Sequence, residues 1–296
     1  MSETIAFVGL GTMGLPMAEA LLQRQMRVVG YDMRLAAVEK LVAMGGTGAA
    51  TAELAAKGAD VLVLMVVNAD QAEAVLFEGG ALAASVPDAI VILTATCAPG
   101  RVADIAARVE KTGRALVDAP VSGGVAGIRD NTLTVLASAP KPVFEKIKPI
   151  LLAFGRNVYH LGESPGQGAA MKIVNQLLCG VHIAATAEAL ALAERSGIDP
   201  QVALEIVSNS AASSWMLKNR GPRMVADNPD VLSAVDVFVK DLGLVLAAGA
   251  SSKMALPMAA TAHQLFLAAA GLGLGGKDDS QVIAAYRALA PKSTKT

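Results

Sequence analysis

Lys172 is a charged residue in a stretch with no obvious use for charge. The segment GQGAAMKIVNQLLCGVHIAATAEALALAERSG (166–197) reads as a long helix bounded by glycines, its apolar residues recurring at helical spacing. Lys172 stands near its start, among Met171, Ile173 and Val174. Gly168, Lys172, Asn175 and Gln176 share one face of such a helix through i, i+3 and i, i+4 spacing. Two readings fit. The stem can lie along apolar surface while the ammonium reaches water. Alternatively, a partly desolvated lysine has its pKa drawn toward neutrality and exchanges a proton with a substrate hydroxyl. Asn175 would then hold that hydroxyl or the lysine itself.

Two further constellations bear on chemistry. In FVGLGTMGLPMAEALL, Gly9, Gly11 and Gly14 have the spacing G-x-G-x-x-G, after a strand-like run and at the start of a helix. Gly9 permits a tight turn, Gly11 lets backbone approach a pyrophosphate, and Gly14 allows close helix–strand packing. The intervening Leu10, Thr12 and Met13 complete this candidate cofactor loop. Asp32, eighteen residues after Gly14, ends the second strand-like run. An acid there accepts a hydrogen bond from the adenosine ribose 2′-hydroxyl and repels a 2′-phosphate, which favours NAD over NADP. Arg34 is near enough to receive such a phosphate and keeps NADP open. The second constellation is VDAPVSGGVAG (117–127). Its Ser122, Gly123 and Gly124 make a small polar turn that can offer amide N–H groups and a hydroxyl to a carboxylate, or serve as an ordinary loop. GLGLGG (271–276) follows a helical stretch, not a strand, and reads as a loop without cofactor; Asp279 or Ser280 beyond it is placed to cap the final helix.

The elements that must position these residues are legible in outline. TIAFVG (4–9), RVVGYD (27–32), DVLVLMV (60–66), AIVILTA (89–95), ALVDAP (115–120) and LTVLAS (133–138) are strand candidates, alternating with helical segments. Apolar strands alternating with helices predict a parallel, doubly wound sheet of the Rossmann type. After Gly166 the strand signals almost vanish and helices follow, with breaks expected near 197–200, 221–222, 227–229 and 271–276. The expected organisation is therefore a dinucleotide-binding α/β domain over 1–163 and an all-α domain over 164–296, founded on a long interdomain helix. Ligand clefts prefer such boundaries.

Composition narrows the classes. Of 296 residues, 53% are apolar and 17% charged, enough for a large core and more apolar surface than one globule needs, so a helical oligomer interface is expected, and the alanine-rich helical half is the part expected to form a homodimer or homotetramer. A net charge of −1 gives no footprint for nucleic acid or anionic lipid. Cys97 and Cys179 have no CxxC or metal-ligand spacing, and the three histidines lie far apart, so no metal is expected and a cytoplasmic location fits. No basic leader precedes the first strand, and no uninterrupted apolar span predicts a membrane crossing. The polar tail 291–296 is expected to fray. Trp215 reads as a packing anchor in preference to a pocket wall.

GLGTMGLPMA, DAPVSGG, GQGAAMKIVNQLL and FVKDLGL occur in an order and spacing that resemble the β-hydroxyacid dehydrogenases, the family of 3-hydroxyisobutyrate and tartronate semialdehyde dehydrogenases. The resemblance covers essentially the whole chain. VVNADQAEAVLF, CGVHIAATAEALALAERSGI, SSWMLKNR and SAVDVFVKDLGLV look most like the L-threonate dehydrogenase branch. The resemblance implies an NAD-dependent oxidoreductase with Lys172 as catalytic acid/base. It also implies that Ser122, Gly123, Gly124 and Asn175 bind substrate, and that Asn68, Thr96 and Lys240 reach the cofactor. A 3-hydroxyisobutyrate or semialdehyde activity is the alternative within the family. A non-catalytic NAD sensor is the alternative outside it, against which Lys172 beside Asn175 argues.

Overall fold

A computed structural model describes residues 3–289; the tail at 291–296, expected to fray, lies outside them. The chain divides into two compact units, Met1–Lys172 and Ile173–Thr296.

The first unit is built on a six-stranded sheet of β1 (Thr4–Val8), β2 (Arg27–Tyr31), β3 (Thr47–Gly48), β4 (Val61–Leu64), β5 (Ile90–Leu93) and β6 (Ala115–Asp118), in the order β3-β2-β1-β4-β5-β6. Every pairing is parallel. This is the expected doubly wound Rossmann arrangement, in which the strand order reverses between β1 and β4. The VLVL of β4 and IVIL of β5 are buried throughout, because helices cover both faces of a parallel sheet. One face packs Phe7, Met17, Leu21 and Leu41; the other packs Leu62, Leu64, Leu76 and Ile105.

Residues 133–138 do form a strand, β8 (Thr134–Ala137), but in a second sheet with β7 (Val121–Ser122) and β9 (Asn157–His160), ordered β7-β8-β9. Among the described residues a single bridge, Asp118 to Ser138, joins the two sheets. Pro120 explains the break: its carbonyl accepts from Leu136 N, but it has no N–H to continue a ladder. β9 escapes the sequence pattern because most of its residues are exposed, so it lacks an apolar face.

The second unit is helical among the described residues. It contains most of Gln167–Arg195, a 29-residue helix, then Pro200–Ser208, Trp215–Met224, Val235–Ser251, Pro257–Ala269 and Ile283–Leu289. Ile183, Leu242, Phe238 and Phe266 fill its core, the two phenyl rings stacked 5.1 Å apart. Three local expectations change. Gly221-Pro222 lies inside a helix and does not end it, because Arg220 on one side and Arg223 on the other are tied to buried Asp279 and Asp278. Asp278, not Asp279 or Ser280, caps the turn Asp279–Val282, accepting from Ser280 N at 3.2 Å. Trp215 is 51% exposed, so it is not a buried packing anchor; Ser214 caps its helix.

Candidate functional site

Parallel strands bring their C-terminal ends to one edge of a sheet, and ligands of open α/β sheets bind there. Here that edge carries the Gly9–Gly14 loop after β1, Asp32 after β2, Asn68 after β4, Thr96 after β5 and Ser122-Gly123-Gly124 after β6. Topology thus gathers five sequence-predicted segments that span more than a hundred residues.

The glycine loop is shaped by close approaches. Gly9 has φ +95°, and a Cβ there would stand 2.3 Å from Met65 O; a Cβ on Gly14 would stand 1.8 Å from Gly9 O. Both positions are glycine for the protein's own packing. Gly11 differs, since its Cβ would meet only Arg34 Nη2 at 3.5 Å, an ordinary contact. The space over Gly11 is thus open enough for a pyrophosphate to approach the backbone. Leu10 is buried and its N–H donates to Asp32 Oδ2 at 2.8 Å, which ties the loop to the end of β2. Asp32 Oδ1 accepts from Arg34 N at 2.9 Å and Arg34 Nε at 3.1 Å. Burial opposes ionisation of Asp32, but bonds from the Arg34 side chain and from the Arg34 and Leu10 amides outweigh it. The carboxyl lies below its ordinary range and is charged at neutral pH. The loop, the helix N-terminus and this acid fit a dinucleotide.

After β6 the backbone turns left-handed twice, at Gly123 (φ +132°) and Gly124 (φ +63°). A Cβ on Gly124 would meet nothing within 4 Å, so the turn opens on free space. Asn68 caps the helix Ala69–Glu73 through Oδ1, and Thr96 is half-buried ahead of the helix Pro99–Glu110.

Lys172 is only 7% exposed, and Gln176 on the same helix face is 6% exposed. Apolar neighbours on the other face are the exposed ones: Met171 at 40%, Val174 at 52% and Leu178 at 50%. The helix therefore turns Lys172 and Gln176 inward, with Asn175 half-buried between its two faces. One turn further, Asn175 Nδ2 donates to Gln176 Oε1 (2.8 Å) and to Cys179 Sγ (3.3 Å). Gln176 Nε2 donates to Asp241 Oδ2 at 2.5 Å, and Lys240 Nζ lies 2.7 Å from Asp241 Oδ1. This chain sets the amide orientation. A carboxylate only accepts, so Gln176 must donate to it, and Asn175 must donate to Gln176. Lys240 and Asn175 are thus drawn into one network, through two residues the sequence left without a role.

A third such residue is Asp118, the last of β6 and fully buried. Its Oδ2 accepts from Gly166 N at 2.9 Å and Ala169 N at 2.7 Å, at the start of the lysine-bearing helix. Burial pushes this carboxyl up to about 6, against the lowering effect of those N–H groups. The available signal for Asp118 and Asp241 was an acid inside an apolar run.

Residues 4–162 match the NAD binding domain of 6-phosphogluconate dehydrogenase, and residues 166–286 match the NAD-binding domain of NADP-dependent 3-hydroxyisobutyrate dehydrogenase. An L-threonate dehydrogenase of Cupriavidus necator is 44% identical over 96% of both chains. One from Haemophilus influenzae is 42% identical over 95% of this chain and 94% of its own. A crystal structure of 3-hydroxyisobutyrate dehydrogenase from Salmonella typhimurium superposes with TM-score 0.91 at 40% identity, covering 96% of this chain and 99% of that one.

Proposed function

The chain belongs to the family of NAD-dependent β-hydroxyacid dehydrogenases, and from that premise we propose that it oxidises L-threonate at C2 to the 2-oxo acid. The observation that carries the reading is the burial of Lys172 on a helix whose apolar neighbours face water. A lysine is not buried for packing alone, since its charged form is costly to desolvate, and the same cost favours the neutral amine that a general base requires.

Each residue has a part. The amides and hydroxyl of Ser122, Gly123 and Gly124 hold the substrate carboxylate. Asn175 supports the C2 hydroxyl, and Lys172 Nζ takes its proton as the C–H bond gives up hydride. Bound NAD supplies the hydride acceptor. Gly9, Leu10, Gly11, Thr12, Met13 and Gly14 cradle its pyrophosphate, Asp32 accepts from its ribose, and Asn68, Thr96 and Lys240 line its nicotinamide side. Residues 1–163 carry the nucleotide; residues 164–296 carry substrate contacts and self-association in a cytoplasmic homodimer or homotetramer. Exposed Val174, Leu178 and Leu192 on the long helix support that association.

The runner-up is 3-hydroxyisobutyrate or tartronate semialdehyde as substrate, the first of the two favoured by the description of the Salmonella typhimurium structure. Turnover of NAD and NADP with L-threonate, D-threonate, D-glycerate and 3-hydroxyisobutyrate separates the two. L-threonate with NAD is the expected pair; turnover of 3-hydroxyisobutyrate alone reverses the substrate assignment. Lys172→Ala is expected to lower kcat by about 10²–10⁴-fold with NAD binding retained. Activity within a few-fold of wild type removes the lysine from the mechanism and restores the sensor reading.

A further inference from the structure

We propose that Asp118 is a positioning residue for Lys172, clamping the first turn of the lysine-bearing helix to the strand that leads into Ser122-Gly123-Gly124. The inference rests on the role given above to Lys172.

The first N–H groups of any helix lack partners within it. In Gln167–Arg195 they are met from outside. Asp118 Oδ2 accepts from Gly166 N and Ala169 N, and Ser138 Oγ accepts from Gly168 N at 3.0 Å. Ser138 Oγ in turn donates to Asp118 Oδ2 at 3.3 Å. The two residues also exchange backbone bonds, Asp118 N to Ser138 O at 3.1 Å and Ser138 N to Asp118 O at 2.7 Å. An anion at this end also suits the helix dipole. The helix is drawn in tightly: a Cβ on Gly168 would stand 2.3 Å from Leu136 O and 3.0 Å from Asp118 Oδ2.

Position along the chain gives the clamp its consequence. Lys172 follows Ala169 by three residues, about one helical turn. Ser122 follows Asp118 by four. One carboxylate thus fixes the start of the lysine's helix to the strand end that carries the carboxylate-binding turn. A reacting hydroxyl held by one and deprotonated by the other depends on that register. The buried charge at Asp118 works against the stability of the fold, as expected of a group kept for what it holds.

The test uses purified full-length protein. Asp118→Ala removes the acceptor, and kcat on the hydroxy acid is expected to fall about 10- to 100-fold while NAD affinity stays within about twofold. Asp118→Asn keeps an acceptor oxygen and is expected to recover most of that loss. In a Lys172→Ala background, Asp118→Ala should lower the residual turnover little, because it acts through the lysine. An additive loss there, or a parallel loss of NAD binding, overturns the proposal as general disruption. Should Asp118→Ala not fold, Ser138→Ala is the second variant: a milder fall in kcat at unchanged NAD affinity supports the clamp, and wild-type kcat overturns it. An active Lys172→Ala sinks both this inference and the functional reading. An inactive Lys172→Ala beside an Asp118→Ala with wild-type kcat sinks this inference alone.

Discussion

Two carboxylates end strands of the same parallel sheet, and they are held in opposite ways. Asp32, after β2, accepts backbone N–H groups and also the Arg34 guanidinium. Asp118, at the end of β6, accepts backbone N–H groups and a hydroxyl, with no cation among its described partners. Both are opposed by burial. At Asp32 the cation and the amides win, and the carboxyl lies below its usual range. At Asp118 burial wins and lifts it to about 6. The difference follows burial as well as partners: Asp32 is only partly buried and has a guanidinium beside it, whereas amides and a hydroxyl do not offset the full desolvation of Asp118. It also separates two uses of a charge. One carboxylate is the one we assign to the cofactor; the other holds the protein's own helix.

The largest effect expected from this contrast is on stability. In the unfolded chain Asp118 titrates near the ordinary aspartate value of 3.8, whereas in the fold burial pushes it up to about 6. Between those values the folded state keeps a proton that the unfolded state has released. Its stabilising contribution is therefore full below about pH 4 and is lost as pH rises through 6, a difference of about 3 kcal/mol. Asp118→Asn carries no such titration. Denaturant unfolding of both proteins from pH 4.5 to 7.5 should show the variant gaining on wild type as pH rises. A pH-independent difference would remove the raised pKa and with it half of the comparison.

The two carboxylates were not equally legible in the sequence. Asp32 falls at a fixed distance beyond a glycine fingerprint whose spacing follows from the shape of a pyrophosphate. Asp118 sits in VDAPVSGG, where the eye goes to the serine and glycines, and its partners are 48 and 51 residues away. No periodicity reports a side chain that caps a distant helix. The same holds for Asp241, whose partner Gln176 is 65 residues away. Five strands of the six-stranded sheet were legible, most plainly β4 and β5, which are continuous apolar runs. β9 and the two-residue β3 were not, since exposed or very short strands carry no pattern. The burial of Lys172 lay between: its helix face was readable, but the direction of that face was a matter of tertiary packing.

Two glycines carry the comparison down to single methyl groups. Gly11 stands on the ligand side, where a Cβ would meet only Arg34 Nη2 at 3.5 Å. Gly168 stands at the clamp, where a Cβ would collide with Leu136 O. Gly11→Ala should leave the melting temperature nearly unchanged and weaken NAD binding by about 100-fold, because the methyl fills the space of the pyrophosphate. Gly168→Ala should do the reverse, lowering the melting temperature with a smaller effect on NAD affinity. Calorimetric titration with NAD and thermal unfolding of both variants decide it. A Gly11→Ala protein that binds NAD like wild type would mean that the loop approaches no phosphate.

The smallest effect tests the pairing of Asp32 with Arg34. Arg34 is 65% exposed at its side chain, and its Nε is engaged by Asp32 at 3.1 Å. Asp32→Ala removes the acceptor for a ribose hydroxyl, a bond to a charged group, and NAD affinity should fall about tenfold. The same change releases Arg34 and deletes the charge that repels a 2′-phosphate. NADP affinity should therefore rise while NAD affinity falls, and the gain should shrink with added salt because the new contact is exposed. Adding Arg34→Ala should abolish the gain. If NADP affinity falls alongside NAD, the Leu10 N–H bond to Asp32 is the more important one. The acid would then serve the shape of the glycine loop more than the choice of cofactor, and the two carboxylates would prove more alike than their partners suggest.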